Sequence, residues 1–428
     1  MTTFRGSDPR DSGSPGRTSL AGGPQGGGAL DEVVPDLGIG RGPAWLDRHL
    51  AAALPGLIAL RRKIHAHPEI ARAEHGTTRL ISDTLDALGI ASTVLPCGTG
   101  LVAEISGGPG PLIALRADLD ALPLTEGSGL PFASSVPGMA HACGHDVHTT
   151  VLAGAAAALA AAPSLPGPVR LIFQPAEEVM PGGADDVIAA GCLVGVDFAY
   201  ALHCDPSLMV GTVATRIGPI TSACDMIEIT VMGPGGHTSR PHLTVDTVGA
   251  LAALAAEMPH LVARHLPTDA GITLVWGAIS AGDAANVIPM RGSLRGTLRL
   301  ADRAAWRGAE EIVRRLAAQI LAPYGADFSV DFEKGVPPAV NDERAVARLR
   351  AGAAAAIGAE SVALATQSSG AEDFADILDA VPGALLRLGV WDGASAKVDL
   401  HSAGFWADER AIAVGIRTMV HTVLAAGY

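Results

Sequence analysis

Apolar and polar positions alternate along the chain with two periods, and these periods predict its helices and strands. Apolar residues recur at helical spacing over residues 46–67, which end at a His-Pro pair, and a second helix is predicted over 77–88. Short apolar runs predict strands at 91–95, 101–105, 112–115, 169–173 and 198–202. Strands that alternate with helices predict an α/β layered sheet.

The pattern changes near residue 216. Strands are predicted at 225–232, 272–279, 293–300 and 328–332, and helices at 245–257 and 304–321. Their order, β-α-β-β-α-β, is typical of a ferredoxin-like α+β domain, which we predict as an insertion at 217–333. The layered domain is then split into 44–216 and 334–428, and its second part is predicted to contain a strand at 384–390 and a closing helix.

Residues 1–43 are rich in Gly, Pro and Ser. Such a segment buries too little apolar surface to offset the entropy of ordering, so we predict a disordered tail. It contains no apolar stretch typical of a secretory signal. The longest apolar run of the chain, 151–162, is too short to span a membrane.

Composition excludes some classes of partner. The net charge is −14, and the chain has only three lysines and no basic run, which argues against binding to nucleic acid or to an anionic membrane. The five cysteines are scattered and odd in number, so no disulfide framework is expected. A reducing cytoplasm fits this cysteine usage.

Potential metal ligands are concentrated in residues 139–150 (MAHACGHDVHTT). Thiolate and imidazole suit zinc, with manganese, cobalt or nickel as competitors. Cys143 and His145 are separated by Gly144, and residues two apart do not face each other on a regular helix. The glycine permits a bent backbone that aims both side chains at one point. Asp146 then begins a helix, either as its cap or as a partner for a ligand imidazole. A capped core helix with incidental histidines is the alternative.

Two adjacent carboxylates, Glu177 and Glu178, follow an apolar strand and Pro175. Neighbouring side chains of an extended segment point to opposite sides. One carboxylate can therefore bind a metal while the other faces a water that the metal activates, as a metallohydrolase requires. A solvated Glu-Glu pair at a strand end is the alternative.

Other polar residues carry weaker signals, and each has a structural alternative. His203 and His401 follow predicted strands and are candidate ligands, although single histidines at strand ends usually serve packing or the surface. Asp118 and Asp120 follow the strand at 112–115. They could bind a metal, orient residues that bind it, or stabilise a turn. A glycine-rich turn presents His237, and Asn286 and Arg299 are candidates for a substrate carboxylate, although Arg299 is equally a surface strand residue.

Together these motifs resemble those of the metal-dependent aminoacylase/carboxypeptidase family, in the branch of hippurate hydrolases and indole-acetyl-amino-acid hydrolases. The resemblance is carried, in the order of the family, by 116–123 (RADLDALP), 141–148 (HACGHDVH), 173–178 (FQPAEE), 235–237 (GGH), 286–289 (NVIP), 370–374 (GAEDF) and 401–402 (HS). It covers about residues 45–428, which is nearly everything except the tail.

The resemblance implies a two-domain metallopeptidase-like fold, an α/β/α sandwich with a ferredoxin-like lid that also forms a homodimer. It implies two divalent metal ions per subunit, held by Cys143, His145, Glu178, His203 and His401. Glu177 would be the general base and acid, with Asp120 orienting a ligand. His237 of one subunit would stabilise the oxyanion in the site of the other, and Asn286 and Arg299 would bind the carboxylate of the substrate.

The expected reaction is hydrolysis of the amide of an N-acyl amino acid, with an N-acetyl, N-benzoyl or aryl-acyl group, to a carboxylate and a free amino acid. Within the same family, a dipeptidase or carboxypeptidase is the alternative. A non-catalytic metal-binding or peptide-binding protein is the alternative of a different class. It is disfavoured because a decayed site should lack Glu177 or at least one of the five ligands.

Overall fold

The computed structural model describes residues 41–425, so residues 1–40 of the predicted tail lie outside the described residues. The helices are α1 Ala44–Ala66, α2 His75–Ala87, α3 His145–Ala160, α4 Gly183–Ala189, α5 Thr247–Arg264, α6 Arg303–Leu321, α7 Glu343–Ile357, α8 Phe374–Ala380 and α9 Arg410–Leu424. Over 41–425, none of these helices is both long and apolar enough to pass through a membrane.

The strands form one large sheet, one smaller sheet and two short pairs. They are β1 Ser92–Val94, β2 Leu101–Ile105, β3 Ile113–Asp118, β4 Val169–Gln174, β5 Phe198–Met209, β6 Val213–Thr215, β7 Gly218–Pro219, β8 Ala223–Met232, β9 Gly236–His237, β10 Thr273–Ala281, β11 Val287–Ile288, β12 Arg291–Leu300, β13 Asp327–Glu333, β14 Val340–Asn341, β15 Val362–Leu364 and β16 Gly383–Trp391.

The large sheet has eight strands in the order β1-β2-β4-β3-β5-β16-β6-β15. Its centre, from β4 through β3 and β5 to β16, is parallel, and both edges contain antiparallel pairs. Helices α1, α2, α3, α7 and α9 pack on one face, and α4 and α8 on the other. Both faces are therefore buried, which explains the continuous apolar runs of the central strands. The predicted α/β/α sandwich is confirmed.

Two strands of this sheet are longer than predicted. The strand expected at 112–115 continues through Arg116 to Asp118, and the strand expected at 198–202 continues through His203 to Met209. The expectation that His203 follows its strand is therefore wrong. The polar residues Asp118 and His203 remain in these strands because their side chains have polar partners. Asp118 contacts Arg116 and His148, and Nδ1 of His203 contacts the carbonyl oxygen of Cys204.

The smaller sheet is antiparallel, with the order β10-β12-β8-β13. Helices α5 and α6 pack on it around an apolar core of their own. The predicted β-α-β-β-α-β order is found, with α5 running further than expected, to Arg264. We call this unit the lid, and its limits, 217 and 333, stay a prediction. Strand β10 is an edge of its sheet and exposes Val275 and Ile279.

Candidate metal centre and active site

A bent backbone at the start of α3 brings Cys143 and His145 together. Gly144 has a φ of +87°, in the left-handed region that residues with a Cβ avoid. A Cβ at this position would also lie 2.8 Å from the Sγ of Cys204. The bend predicted from the sequence is confirmed, and both its conformation and its packing require glycine.

The five predicted ligands lie at one site, next to a cavity of about 480 Å³ between the large sheet and the lid. The Sγ of Cys143 is 3.4 Å from Nε2 of His203. The Oε1 of Glu178 is 3.8 Å from Nε2 of His145 and 3.2 Å from Nε2 of His401. The donor atoms of Cys143, His145 and His203 lie within 4.8 Å of one another, as do those of Cys143, Glu178 and His401.

Backbone contacts orient the imidazoles of two candidate ligands. Nδ1 of His145 lies 2.8 Å from the carbonyl oxygen of Asp120, and Nδ1 of His203 lies 2.8 Å from that of Cys204. Since a carbonyl only accepts, each Nδ1 carries the proton and each Nε2 carries a lone pair. Nε2 of His145 is buried without a hydrogen-bond partner among the described residues. A divalent ion would satisfy this nitrogen, so the donor set fits a metal.

Asp120 contacts two candidate ligands at once. Its carbonyl oxygen accepts from His145, and its Oδ2 accepts a hydrogen bond of 2.9 Å from the backbone N–H of Glu178. By contrast, both ring nitrogens of His148 are used inside the protein: Nδ1 lies 2.6 Å from Oδ1 of Asp118, and Nε2 accepts from the N–H of Cys204. His148 is therefore structural.

Asp146 neither caps α3 nor contacts a ligand imidazole, so both roles expected for it are wrong. Its buried carboxylate forms ion pairs of 2.6 Å with Arg61 and 2.8 Å with His65, both on α1. Burial would raise the pKa of Asp146, but these two cations hold it well below its usual range. Asp146 thus fixes the start of α3 against α1, which positions His145 indirectly.

Glu177 lies next to the candidate ligands, with its Oε2 4.0 Å from Nε2 of His145. One of its carboxylate oxygens is also within 4.8 Å of one carboxylate oxygen each of Glu372 and Asp373, in the loop before α8. Burial raises the pKa of Glu177 well above its usual range, and the negative charges of Glu372 and Glu178 raise it further. A carboxyl group with a raised pKa can both take up and release a proton near neutral pH.

A buried arginine holds this acidic cluster together. Arg116, on β3, pairs with Asp118 and Asp373 at 2.6 Å each and with Glu372 at 3.2 Å. Burial raises the pKa of Asp373 to about 8, because the lowering by Arg116 only partly compensates. The sequence assigned no role to Arg116, Glu372 or Asp373. A charged residue inside an apolar strand and an acidic pair in the 370–374 motif were the available signals.

The backbone is strained at two points of the site. Ala176, directly before Glu177, has a φ of +55°, and His401 has a φ of +58°. The N–H of Ala176 donates to Oε1 of Glu74 at 2.7 Å, and the N–H of His401 donates to the carbonyl of Ala142 at 2.8 Å. Such strain persists only where surrounding contacts enforce it, as at functional sites. The buried Glu74 carried no sequence signal that we recognised.

Of the three lid residues predicted to bind substrate or stabilise the oxyanion, only one lies at the cavity. Arg299, on β12, lines the cavity and donates a hydrogen bond of 2.6 Å to the carbonyl of Ser369. His237 and Asn286 are exposed and do not line this cavity, and Nδ1 of His237 accepts from the N–H of Ser239. Within one chain, the structure therefore brings Arg299 to the site, but not His237 or Asn286.

Known proteins are similar to this chain in sequence and in fold. The chain matches the family described as Peptidase family M20/M25/M40 over residues 114–425. N-acetylcysteine deacetylase of Bacillus subtilis (strain 168) is 38% identical over 361 residues, which are 84% of this chain and 93% of that protein. The structure of the Bacillus subtilis YXEP protein, described as a dinuclear metal binding peptidase from the M20 family, matches with a TM-score of 0.76. It is 34% identical and covers 87% of this chain and 98% of that one.

A longer relative matches with higher identity. A protein of Rhodococcus jostii (strain RHA1), whose name is that of a glutamate–cysteine ligase, is 49% identical over 364 residues. These residues are 85% of this chain but 46% of that protein, so the chain spans about half the length of this relative. The sandwich fold, the ligand cluster and these matches agree: the chain belongs to peptidase family M20/M25/M40 and is a hydrolytic enzyme that acts on amide bonds.

Proposed function

We propose that this enzyme hydrolyses the amide bond of N-acyl amino acids and releases a carboxylate and a free amino acid. The observation that carries the proposal is the carboxylate of Glu177, whose side chain is 8% exposed and which lies 4.0 Å from Nε2 of His145, a buried nitrogen without a hydrogen-bond partner in residues 41–425. The names of relatives support the substrate class, since they include an N-acetylcysteine deacetylase and an N-acyl-L-amino acid amidohydrolase.

We infer that two divalent ions are held by Cys143, His145, Glu178, His203 and His401. Zinc, manganese, cobalt and nickel are all compatible with a mixed sulfur, nitrogen and oxygen donor set. When bound, the ions polarise the amide carbonyl and lower the pKa of water.

The residues of the chain then supply acid–base chemistry and positioning. Glu177 accepts a proton from the attacking water and donates it to the leaving amine as the tetrahedral intermediate collapses. Glu372 and Asp373 favour proton uptake by Glu177, because their negative charges make its ionised form less stable. Asp120 holds His145 and the backbone of Glu178 in place. Arg299 offers its remaining N–H groups to the carboxylate of the amino acid.

The proposal includes a homodimer through the lid. His237 and Asn286 lie away from the cavity of their own chain, whereas β10 offers a free sheet edge with exposed Val275 and Ile279. A second copy that pairs with β10 would carry its His237 and Asn286 toward the neighbouring site. His237 would then stabilise the oxyanion there.

The proposal also includes a reducing compartment, the cytoplasm. All five cysteines are free, and Cys143 must stay a thiolate to bind metal. Cys143 is buried but lines the cavity, so a small oxidant that enters the cavity of an enzyme in an oxidising compartment would endanger the site.

The test is metal content and amide hydrolysis on the same sample. Protein purified without added metal should contain about two ions per chain and should hydrolyse N-acetyl- and N-benzoyl-amino acids. Chelation should abolish turnover, and add-back of zinc, manganese, cobalt or nickel should restore it. Turnover of dipeptides alone would support the alternative of a dipeptidase or carboxypeptidase. Relatives named thermostable carboxypeptidases, which are 36% identical to this chain, make this alternative worth testing. Retained metal without turnover of any amide would support a binding protein.

A further inference from the structure

One buried arginine, Arg387, has no ion-pair or hydrogen-bond partner among residues 41–425. Four arginines are buried in the described chain, namely Arg61, Arg116, Arg387 and Arg417. Three of them form ion pairs: Arg61 with Asp146, Arg116 with Asp118 and Asp373, and Arg417 with Asp47. Arg387 is 9% exposed and forms no ion pair or hydrogen bond with any described residue.

The position of Arg387 is set by the centre of the large sheet. It interrupts the apolar strand β16, where Leu386 and Leu388 pack into the core on the opposite face. It is in register with His203 on the parallel strand β5, so the two side chains point to the same face of the sheet. Arg387 lines the cavity that Cys143, Glu178 and Arg299 also line.

An unpaired buried cation is unfavourable, because it gives up hydration without gaining a counter-ion. Because Arg387 lines the cavity, a ligand bound there can supply that counter-ion. A carboxylate is the matching group, since it accepts two parallel hydrogen bonds from the guanidinium fork.

Two arginines from different parts of the chain therefore line the cavity. Arg299 comes from the lid and is the proposed partner of the carboxylate common to all amino acids. Arg387 comes from the sheet and remains available for another anion.

We propose that Arg387 binds a second carboxylate of the substrate, so that the preferred substrates are N-acyl amino acids with two carboxylates. This inference rests on the proposed amidohydrolase function. The second carboxylate has two possible sources. It belongs either to the side chain of the amino acid, as in N-acetylglutamate, or to the acyl group, as in N-succinylalanine. The apolar side chains of Met180, Met226 and Leu400 also line the cavity and suit the methylene groups of either molecule.

The experiment compares matched pairs on the metal-loaded enzyme. N-acetylglutamate is paired with N-acetylglutamine, and N-succinylalanine with N-butyrylalanine, so that each pair differs mainly in one charge. For one pair, the wild-type enzyme should give a kcat/KM about 10- to 100-fold higher for the dicarboxylate, the range expected of hydrogen bonds to a charged group. Whichever pair shows this preference identifies the source of the carboxylate.

The variants are Arg387→Gln, Arg387→Lys and, as a surface control, Arg295→Gln on the exposed side of β12. Arg387→Gln should bring the ratio close to one, Arg387→Lys should retain part of it, and Arg295→Gln should keep it. The proposal is overturned if the wild-type enzyme shows no preference in either pair. It is also overturned if Arg387→Gln leaves the ratio unchanged or impairs both members of a pair equally, since Arg387 would then serve the common carboxylate.

A binding measurement separates this inference from the proposed function. Calorimetry with metal-loaded Glu177→Gln should detect tighter binding of the dicarboxylate than of its neutral partner, and Arg387→Gln in that background should remove the difference. If no amide is hydrolysed but this charge-dependent binding remains, the proposed function fails and the anion site at Arg387 stands. If amides are hydrolysed without any charge-dependent binding, the anion site fails alone.

Discussion

The Sγ of Cys143 lies 3.4 Å from Nε2 of His203, although 60 positions separate these residues along the chain. Cys143 is placed by the bend before α3, and His203 by strand β5 in the middle of the large sheet. The proposed metal centre therefore depends on how one turn packs against one strand. Changes to that turn should affect metal binding and stability together.

Gly144→Ala should destabilise the protein and weaken metal binding. The left-handed backbone costs a residue with a Cβ about 1–2 kcal/mol, and the contact with Cys204 adds an overpacking cost of about 1–3 kcal/mol. Gly138→Ala is the matched control, because Gly138 also has a positive φ, +78°, but its Cβ would meet nothing within 4 Å. Thermal unfolding and metal titration of both variants test this. Equal losses would show that packing against Cys204 is unimportant.

Glu177→Gln should keep the fold and the metal but lower kcat by about 10²- to 10⁴-fold, the usual contribution of a general base. Glu178→Gln is the informative comparison, since it removes a candidate ligand and should release metal at the same pH. Metal analysis and steady-state kinetics on both variants separate base from ligand. Near-normal turnover by Glu177→Gln would exclude its role as the base.

A pH-dependent contribution to stability is expected from Glu126, which is partly buried next to His65. Its carboxylate accepts a hydrogen bond of 2.6 Å from the N–H of Ser134, and its Oε1 lies 3.1 Å from Nε2 of His65. Burial alone would raise the pKa of Glu126, but these contacts lower it to about 2. Because the unfolded value is 4.5, the stabilisation is present above that pH and is lost as the pH falls toward 2.

Glu126→Gln should therefore lower the free energy of unfolding by about 2 kcal/mol at pH 7, and the difference from the wild type should close between pH 5 and about pH 2. Urea unfolding of metal-free protein at several pH values measures this. The control is Glu104→Gln, in an exposed pair with Arg170 that should contribute less than about 1 kcal/mol. A difference that stays constant with pH would contradict the assignment.

Complementation between inactive subunits tests the dimer. If His237 acts in the neighbouring site, mixing His237→Ala with Glu177→Gln should restore activity, up to about a quarter of the wild-type value for random exchange, because a mixed dimer contains one complete site. Val275→Lys on the β10 edge should yield monomers without activity. Val94→Lys on β1, the edge of the large sheet, is the control and should change neither property. Full activity of a Val275→Lys monomer would exclude the role of His237 in trans.

The sequence predicted the elements of this fold closely, because their signals are local. The helix at 46–67 and the strand at 101–105 are found at Ala44–Ala66 and Leu101–Ile105. Strand ends were predicted less well. We expected His203 to follow its strand because it is polar, whereas β5 continues because its backbone stays in the parallel ladder with β16 at this position. No local pattern indicates such a partner.

The same distinction applies to the site. Residue type and spacing were sufficient to nominate the ligands and Glu177, because thiolate, imidazole and carboxylate are the chemistry that a metallohydrolase needs. Whether Asp146 capped its helix or bound a more distant cation could not be decided locally, and it pairs with Arg61, 85 positions away. The sequence also did not predict that Glu74, Glu372 and Asp373 lie around the loop of Glu177.

By itself, the sequence determined which segments form helices and strands, the insertion of an α+β unit and the residues able to bind metal. All three follow from period, composition and side-chain chemistry within short stretches. The tertiary structure decided which charges are neighbours: it gave Glu177 its acidic surroundings and placed Arg387 at the cavity without a counter-ion among residues 41–425. Charge–charge interactions depend on distance and burial in space, and only the folded chain sets these for residues far apart in sequence.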